Sequence, residues 1–239
     1  MIDTHAHLTS RFGGEMEIGN LRAVILAASS IEDSKENIEL GKKYPDKLFP
    51  SIGIHPQVRE IGGEKLEQLI EGVVAVGECG LDFSDDYDLG EQTEKFERQI
   101  KLAIKYNLPL IIHAREAVDE VIEILKKYPG TKGVFHCYTG GKKRIKKILD
   151  LGEWYFGIDG NVTYEVGLEM VVKNIPKDKL LAETDCPELT PVPFRGEKNK
   201  PIYVEYVYKK IAEIWGLGFE ETEKIIDDNT QKLFSLIRK

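Results

Sequence analysis

Residues 72–78 have the sequence GVVAVGE, a short apolar run that is rich in valine and ends on a carboxylate. β-Branched residues favour strands, and an uninterrupted apolar run of this length is typical of a strand buried on both faces, as in a parallel sheet. Similar runs recur along the chain, and most are followed closely by a histidine or a carboxylate. The predicted strands are 2–7, 22–28, 50–54, 72–78, 109–113, 133–137, 154–159 and 179–184.

Segments with helical periodicity lie between many of these runs. The clearest is 91–106, where Phe96, Ile100, Ala103 and Ile104 form one apolar stripe. Alternation of strands and helices builds a parallel sheet, and eight such strands predict an α/β fold, a single (β/α)8 barrel that occupies residues 1–239 as one domain. Further helices are predicted near 116–128, 142–151, 165–174, 201–215 and 219–237.

The formal net charge of −8 is not typical of a general nucleic-acid binder, which usually has a broad basic surface. It leaves room for an enzyme that contacts nucleic acid locally. Residues 142–147, KKRIKK, are basic at five of six positions. Two interpretations stay open for them: the solvated face of a helix whose buried side includes Ile145 and Ile148, or a local contact with nucleic acid.

The three cysteines show no CxxC spacing, which argues against a disulfide framework and a structural zinc knuckle. We expect Cys79, Cys137 and Cys186 to be reduced thiols that do not bind metal. No run approaches the roughly 18 apolar residues of a membrane helix, and a metal-binding motif begins almost at the first residue, where a secretory peptide would lie. A cytoplasmic protein without membrane attachment or an obligate protein partner is therefore expected.

In (β/α)8 barrels the active site lies at the C-terminal ends of the strands. All five histidines and two carboxylates of this chain fall at such ends. Histidine is the commonest metal ligand, so these positions predict a metal site at the mouth of the barrel. The residues are His5 and His7 at strand 1, His55 after strand 3, Glu78 at strand 4, His113 at strand 5, His136 at strand 6 and Asp185 after strand 8.

Six ligands are too many for one tetrahedral zinc site but suit two divalent ions about 4 Å apart. The strand positions assign His5, His7 and Asp185 to one ion, and His113 and His136 to the other. Glu78 is predicted to bridge them, since strand 4 has no lysine that could be carbamylated for this role. Asp185, at the rim, is the predicted acceptor of the proton of the attacking water. Mixed ligation of this kind accepts Zn²⁺, Mn²⁺ or Mg²⁺.

A phosphate ester would also need cationic side chains near the metals. Arg115 and Arg195 could each bind phosphate oxygens through two hydrogen bonds, and a surface ion pair is the alternative for both. His55 is predicted to contact substrate at the rim, with a structural hydrogen bond to a loop as the alternative. Asp3 and Glu183 each precede a ligand by two residues and are expected to orient ligand imidazoles.

Six motifs occur together in an order that resembles the TatD-type metal-dependent deoxyribonucleases. The resemblance runs from Ile2 to about Asn199 and implies a TIM-like barrel of the amidohydrolase type. It also implies a divalent-metal hydrolase that cleaves DNA phosphodiesters, some members acting as 3′-to-5′ exonucleases, with single strands or 3′ ends as substrate. The metal ligands it implies are those reached above from strand positions. The motifs are DTHAHL (3–8), GIHPQ (53–57), VGECGLD (76–82), LPLIIHAREA (108–117), GVFHCYTG (133–140) and LLAETDCPELTPVPFRGEKN (180–199).

Three local features bear on substrate preference. Many relatives have aspartate where this chain has Thr9, and often a histidine where it has Gln57. The acidic segment 84–88, SDDYD, would repel a long polyanion if it faced the site. Two alternatives therefore stay open: a hydrolase of a smaller phosphoester, lactone or amide on the same scaffold, and a non-catalytic metal-binding module.

Overall fold

Eight parallel strands form one sheet whose spatial order follows the order of the chain. The structure is a computed structural model that describes residues 1–13, 16–59, 63–84 and 88–234. Its architecture confirms the predicted α/β barrel. The strands are β1 (Ile2–Ala6), β2 (Ala23–Leu26), β3 (Leu48–Ile52), β4 (Ala75–Asp82), β5 (Leu110–Arg115), β6 (Gly133–Phe135), β7 (Trp154–Ile158) and β8 (Leu180–Ala182).

Helices connect the strands on the outside of the barrel. No helix in the described ranges is both long and apolar enough to span a bilayer. All six predicted helices are present, although residues 235–237 of the last one lie outside the described residues. The helices are α1 (Ile31–Lys43), α2 (Gly63–Glu67), α3 (Leu89–Tyr106), α4 (Val118–Leu125), α5 (Lys142–Leu149), α6 (Leu168–Asn174), α7 (Val204–Trp215) and α8 (Phe219–Phe234).

Three details of the helices differ from the sequence-based expectation. Helix α1 was not predicted, because its buried face carries the polar residues Asp33, Ser34 and Asn37 and so lacks an apolar stripe. Helix α2 was not predicted either, because its five residues are too few to show helical periodicity. Helix α3 has its predicted stripe only as far as Ala103, since Ile104 is 46% exposed.

The barrel closes where β8 returns to β1. The amide of His7 donates to the carbonyl of Cys186 at 2.9 Å, and the amide of Asp185 donates to the carbonyl of His5 at 2.9 Å. Both bonds lie just beyond the C-terminal end of β8. The closure therefore joins the first and last strands at the residues predicted to bind metal.

The interior of the barrel is apolar at the opposite end. Side chains from six strands pack together there, and Leu233 and Phe234 of α8 pack against them. This layer plugs the N-terminal end and leaves the C-terminal end for polar groups, as is usual in such barrels. The strand residues are Ile25, Ala75, Ile111, Val134, Tyr155 and Leu181.

Two strands have irregular register at the candidate site. The pairing shifts between Asp3 and Ala6 in β1, and between Val76 and Cys79 in β4. Bulges of this kind redirect side chains and are common beside active sites. Each interval contains a predicted metal ligand.

We expect Tyr208→Phe to lower the free energy of unfolding by about 1–3 kcal/mol, because buried polar groups would lose their partner. The buried Tyr208 hydroxyl lies 3.1 Å from the amide of Ile2, 3.0 Å from its carbonyl and 2.8 Å from Oδ1 of Asp227. Urea denaturation would measure the loss. The control is Tyr106→Phe, an exposed tyrosine expected to change stability by less than about 0.5 kcal/mol. Equal effects of the two substitutions would contradict the role given to Tyr208.

Candidate metal centre

Glu78 lies at the middle of the polar cluster, and its two carboxylate oxygens face different histidines. Oε2 lies 3.5 Å from Nε2 of His5 and 3.4 Å from Nε2 of His7. Oε1 lies 2.7 Å from Nδ1 of His113 and 2.8 Å from Nε2 of His136. The two oxygens of this carboxylate therefore face two separate groups of histidine nitrogens.

The first group of ligand atoms has the dimensions of a tetrahedral metal site. Nε2 of His5 and Nε2 of His7 are 3.2 Å apart, and Oδ1 of Asp185 lies 3.4 Å and 3.5 Å from them. Ligands at about 2.1 Å from a tetrahedral ion lie about 3.4 Å from one another. With Oε2 of Glu78, these atoms fit one divalent ion.

The second group comprises Oε1 of Glu78, Nδ1 of His113 and Nε2 of His136, the two nitrogens being 3.2 Å apart. His55 lies beside it, with Nε2 3.6 Å from Oε1 of Glu78. Nδ1 of His55 accepts from the amide of Gln57 at 3.2 Å, so the neutral ring carries its proton on Nε2. His55 thus lies within the centre and presents a hydrogen-bond donor to it.

The electrostatics of the cluster favour a cation. Burial opposes ionisation of Glu78, but the neighbouring His136 and His55 outweigh it and lower the pKa of Glu78 well below its usual value. The pKa of Asp185 is likewise lowered, against burial, by His7 and His5. Burial would lower the pKa of His7, yet hydrogen bonds to Asp185 and Glu78 raise it to about 9. A metal would therefore displace protons here, as at most histidine sites.

Asp82 is a member of the site that sequence reasoning missed. Its Oδ2 lies 2.9 Å from Nε2 of His113, whose other nitrogen faces Glu78. A carboxylate in this position fixes the orientation and tautomer of a metal-binding imidazole. The predicted strand ended at Glu78, whereas β4 continues through Gly80 to Asp82. The available signal was Asp82 itself, which lies four residues beyond Glu78 at the end of the motif VGECGLD.

The two deeper carboxylates differ in what they contact. Asp3 accepts from the amide of His5 at 3.2 Å and from Oγ1 of Thr184 at 2.6 Å. It orients backbone, so the expectation that it contacts an imidazole is wrong. Glu183 is nearer to the expectation, since its Oε1 lies 3.7 Å from Nδ1 of His136.

Helix α3 fixes two strand ends with buried glutamines. The side-chain amide of Gln99 accepts from the amide of Ile54 at 2.8 Å and donates to its carbonyl at 3.0 Å. Gln92 binds the backbone of Asp82 in the same way, at 2.9 Å and 2.8 Å. These bonds set the height of Asp82 and of His55, which follows Ile54.

The two arginines lie at the mouth without contacting the cluster. Arg115 is the exposed last residue of β5 and has no ion pair with the described residues. Cζ of Arg195 lies 3.8 Å from the ring centroid of Tyr164, a cation–π contact. Among the described residues, neither arginine forms the surface ion pair that was the alternative to phosphate binding.

The basic segment 142–147 belongs to α5, with Ile145 and Ile148 buried. Arg144 and Lys147 form ion pairs with Asp119 at 2.9 Å and 2.7 Å. These contacts favour the solvated-face interpretation. Most of the acidic segment, residues 85–87, lies outside the described residues.

The three cysteines are not joined in disulfides. Cys79 and Cys186 are buried, and Cys137 is partly buried. Sγ of Cys79 lies 3.7 Å from the carbonyl of Ile111, which places it against the strand backbone.

Comparison with known proteins shows similarity over nearly the whole chain. A family model described as TatD related DNase matches residues 2–235. The chain is 36% identical to the uncharacterized metal-dependent hydrolase YabD of Bacillus subtilis, over 99% of both proteins. It is 31% identical to the 3′-5′ ssDNA/RNA exonuclease TatD of Pectobacterium parmentieri, over 99% of this chain and 100% of that protein. The crystal structure of YJJV, a TatD homologue of Escherichia coli, superposes with a TM-score of 0.88 at 28% identity, covering 98% of this chain and 97% of the other.

We expect Asp82→Ala to weaken Zn²⁺ binding about 10- to 100-fold, because His113 would lose the carboxylate that orients it. Competition with a fluorescent chelator at fixed pH would measure the affinity. Asp46→Ala, which removes an exposed carboxylate away from the site, is the matched control. An unchanged affinity in Asp82→Ala would show that this contact does not support the metal site.

Proposed function

Because the chain belongs to the TatD-related DNase family, we propose that it is a divalent-metal-dependent hydrolase that cleaves phosphodiester bonds of DNA. The observation that carries the proposal is the position of Glu78, whose two oxygens face two separate groups of histidines. The relative from Pectobacterium, named as a 3′-5′ exonuclease on single strands, supports single-stranded 3′ ends as substrate.

The proposed ligands divide into two sets that share Glu78. His5, His7 and Asp185 would hold one ion, and His113 and His136 the other. Divalent ions, when bound, lower the pKa of water and stabilise negative charge on phosphoryl oxygens. Zn²⁺, Mn²⁺ and Mg²⁺ are all compatible with this donor set.

Asp185 is the proposed proton acceptor. Its side chain is 17% exposed against 4% for Glu78, so substrate and water can reach it. Its lowered pKa keeps it ionised. Water would attack phosphorus and pass a proton to Asp185 as the bond from phosphorus to the 3′ oxygen breaks. Asp185 could then return that proton to the leaving oxygen.

Three further side chains would position the phosphate. His55 would donate from Nε2 to a phosphoryl oxygen, consistent with the hydrogen bond that its Nδ1 accepts. Arg115 and Arg195 would bring positive charge to the mouth of a chain with a net charge of −8. We also propose a cytoplasmic location, in keeping with its unpaired cysteines.

We expect metal-loaded protein to shorten single-stranded DNA from a free 3′ end, and Asp185→Asn to lower kcat at least about 100-fold, because proton transfer is lost. The assay compares strands with free and blocked 3′ ends in Mg²⁺, Mn²⁺ and Zn²⁺. Metal content measured on the same samples separates loss of proton transfer from loss of an ion, and Asp46→Asn is the control. Turnover of small esters or lactones alone would overturn the nuclease proposal in favour of the alternative hydrolase.

We expect Arg115→Ala to raise KM for a phosphodiester about tenfold and to leave KM for a neutral ester unchanged, because only the former offers anionic oxygens. Arg98→Ala is the matched control, since Arg98 is exposed on α3 and paired with Glu94. If Arg115→Ala leaves KM unchanged for both substrates, Arg115 does not belong to the binding site.

A further inference from the structure

The segments that follow β7 and β8 are joined by a hydrogen bond. The amide of Val192, in the β8 segment, donates to Oγ1 of Thr163 in the β7 segment at 2.9 Å. The contact brings Arg195 onto the ring of the next residue, Tyr164, at 3.8 Å. Both residues follow the C-terminal ends of their strands, so the pair lies at the same end of the barrel as Glu78.

Tyr164 also lines a groove of about 430 Å³ that has apolar residues on its surface. Val166 and Met170, in this groove, are among the most exposed large apolar side chains of the described residues. Exposed apolar side chains that form a contiguous patch in a groove commonly mark a binding surface.

The charges that line the groove are equal in number. The lining includes Glu165, Glu169, Lys173 and Lys210, and Lys210 pairs with Glu169 at 2.7 Å. A balanced, partly apolar groove attracts an uncharged ring more than it attracts a phosphate. Arg195 lies on Tyr164 at the edge of this groove, where its positive charge would attract the phosphate backbone of a bound strand.

We propose that Tyr164 and Arg195 form a stacking platform for a nucleobase of the bound strand, adjacent to the metal centre. The inference rests on the proposed nuclease function and deepens it. In this proposal Arg195 does not bind phosphate oxygens through two hydrogen bonds. Its planar guanidinium stacks on Tyr164 and contributes positive charge. Stacking tolerates every base, so the platform binds single strands without a sequence preference.

The platform would also account for the preference for single strands proposed above. Bases in a duplex are stacked on their neighbours and paired, and they are not free to stack on a protein ring. The bases of an unpaired end are free to stack on Tyr164.

The test compares Tyr164→Ala and Tyr164→Phe in the metal-loaded enzyme on two single strands, one with natural bases and one abasic in its last three nucleotides. We expect Tyr164→Ala to raise KM for the natural strand about tenfold and to leave KM for the abasic strand unchanged. Tyr164→Phe keeps the aromatic ring, so its KM for the natural strand should equal that of the wild-type enzyme. Tyr106→Ala is the matched control, since Tyr106 has Lys105 near its ring but lies at the end of α3 that leads into β5, away from the mouth.

An unchanged KM for the natural strand, or an equal rise for both strands, would overturn the platform while leaving the nuclease function intact. If the wild-type enzyme cleaves no strand, fluorescence anisotropy of the labelled natural strand decides separately. Weaker binding by Tyr164→Ala would then support the platform without the proposed nuclease activity, and equal binding would overturn the platform as well.

Discussion

A buried carboxylate surrounded by histidines is the constraint on which the rest of the structure depends. Glu78 is buried, and an isolated charge at such a position would be strongly destabilising. Imidazoles from three other strands lie within 3.5 Å of its oxygens and neutralise it together with whatever cation they bind. β1, β4, β5 and β6 must therefore present these residues at one height, and the register shifts in β1 and β4 occur where this is needed.

The parts of the structure that could be predicted from the sequence are those that depend on apolar periodicity and on position along the chain. Eight strands, six of the helices and the approach of residues at strand ends followed from runs such as 72–78 and 91–106. Helix α1 was not predicted because its buried face is polar. Side chains on that face form hydrogen bonds with the backbone instead of packing in an apolar stripe. Asp82 escaped because a glycine usually ends a strand, whereas Gly80 continues β4 where a Cβ would lie 2.0 Å from the carbonyl of His113. Alternation along a strand shows which face a carboxylate lies on but not which group it contacts. For this reason the prediction that Asp3 orients an imidazole was wrong.

Rigidity and variation are divided between the two sides of the mouth. Gln92 and Gln99 of α3 hold the backbones of Asp82 and Ile54 through paired amide bonds, so the chemistry rests on fixed elements. Tyr164 and Arg195 lie in the segments after β7 and β8 and contact each other instead of the histidine cluster. Changes there could alter which substrates bind without moving the groups that hold metal, as the fold permits in general.

The closure between β1 and β8 has a consequence for the order in which the enzyme becomes active. His5 and His7 lie near the start of the chain, and Asp185 lies some four-fifths of the way along it. Contacts between such distant segments form late, because the intervening chain must first be placed. A chain still emerging from the ribosome would have its first histidines but no closed barrel around Glu78. A hydrolase built this way stays harmless to nearby nucleic acid until most of its synthesis is over.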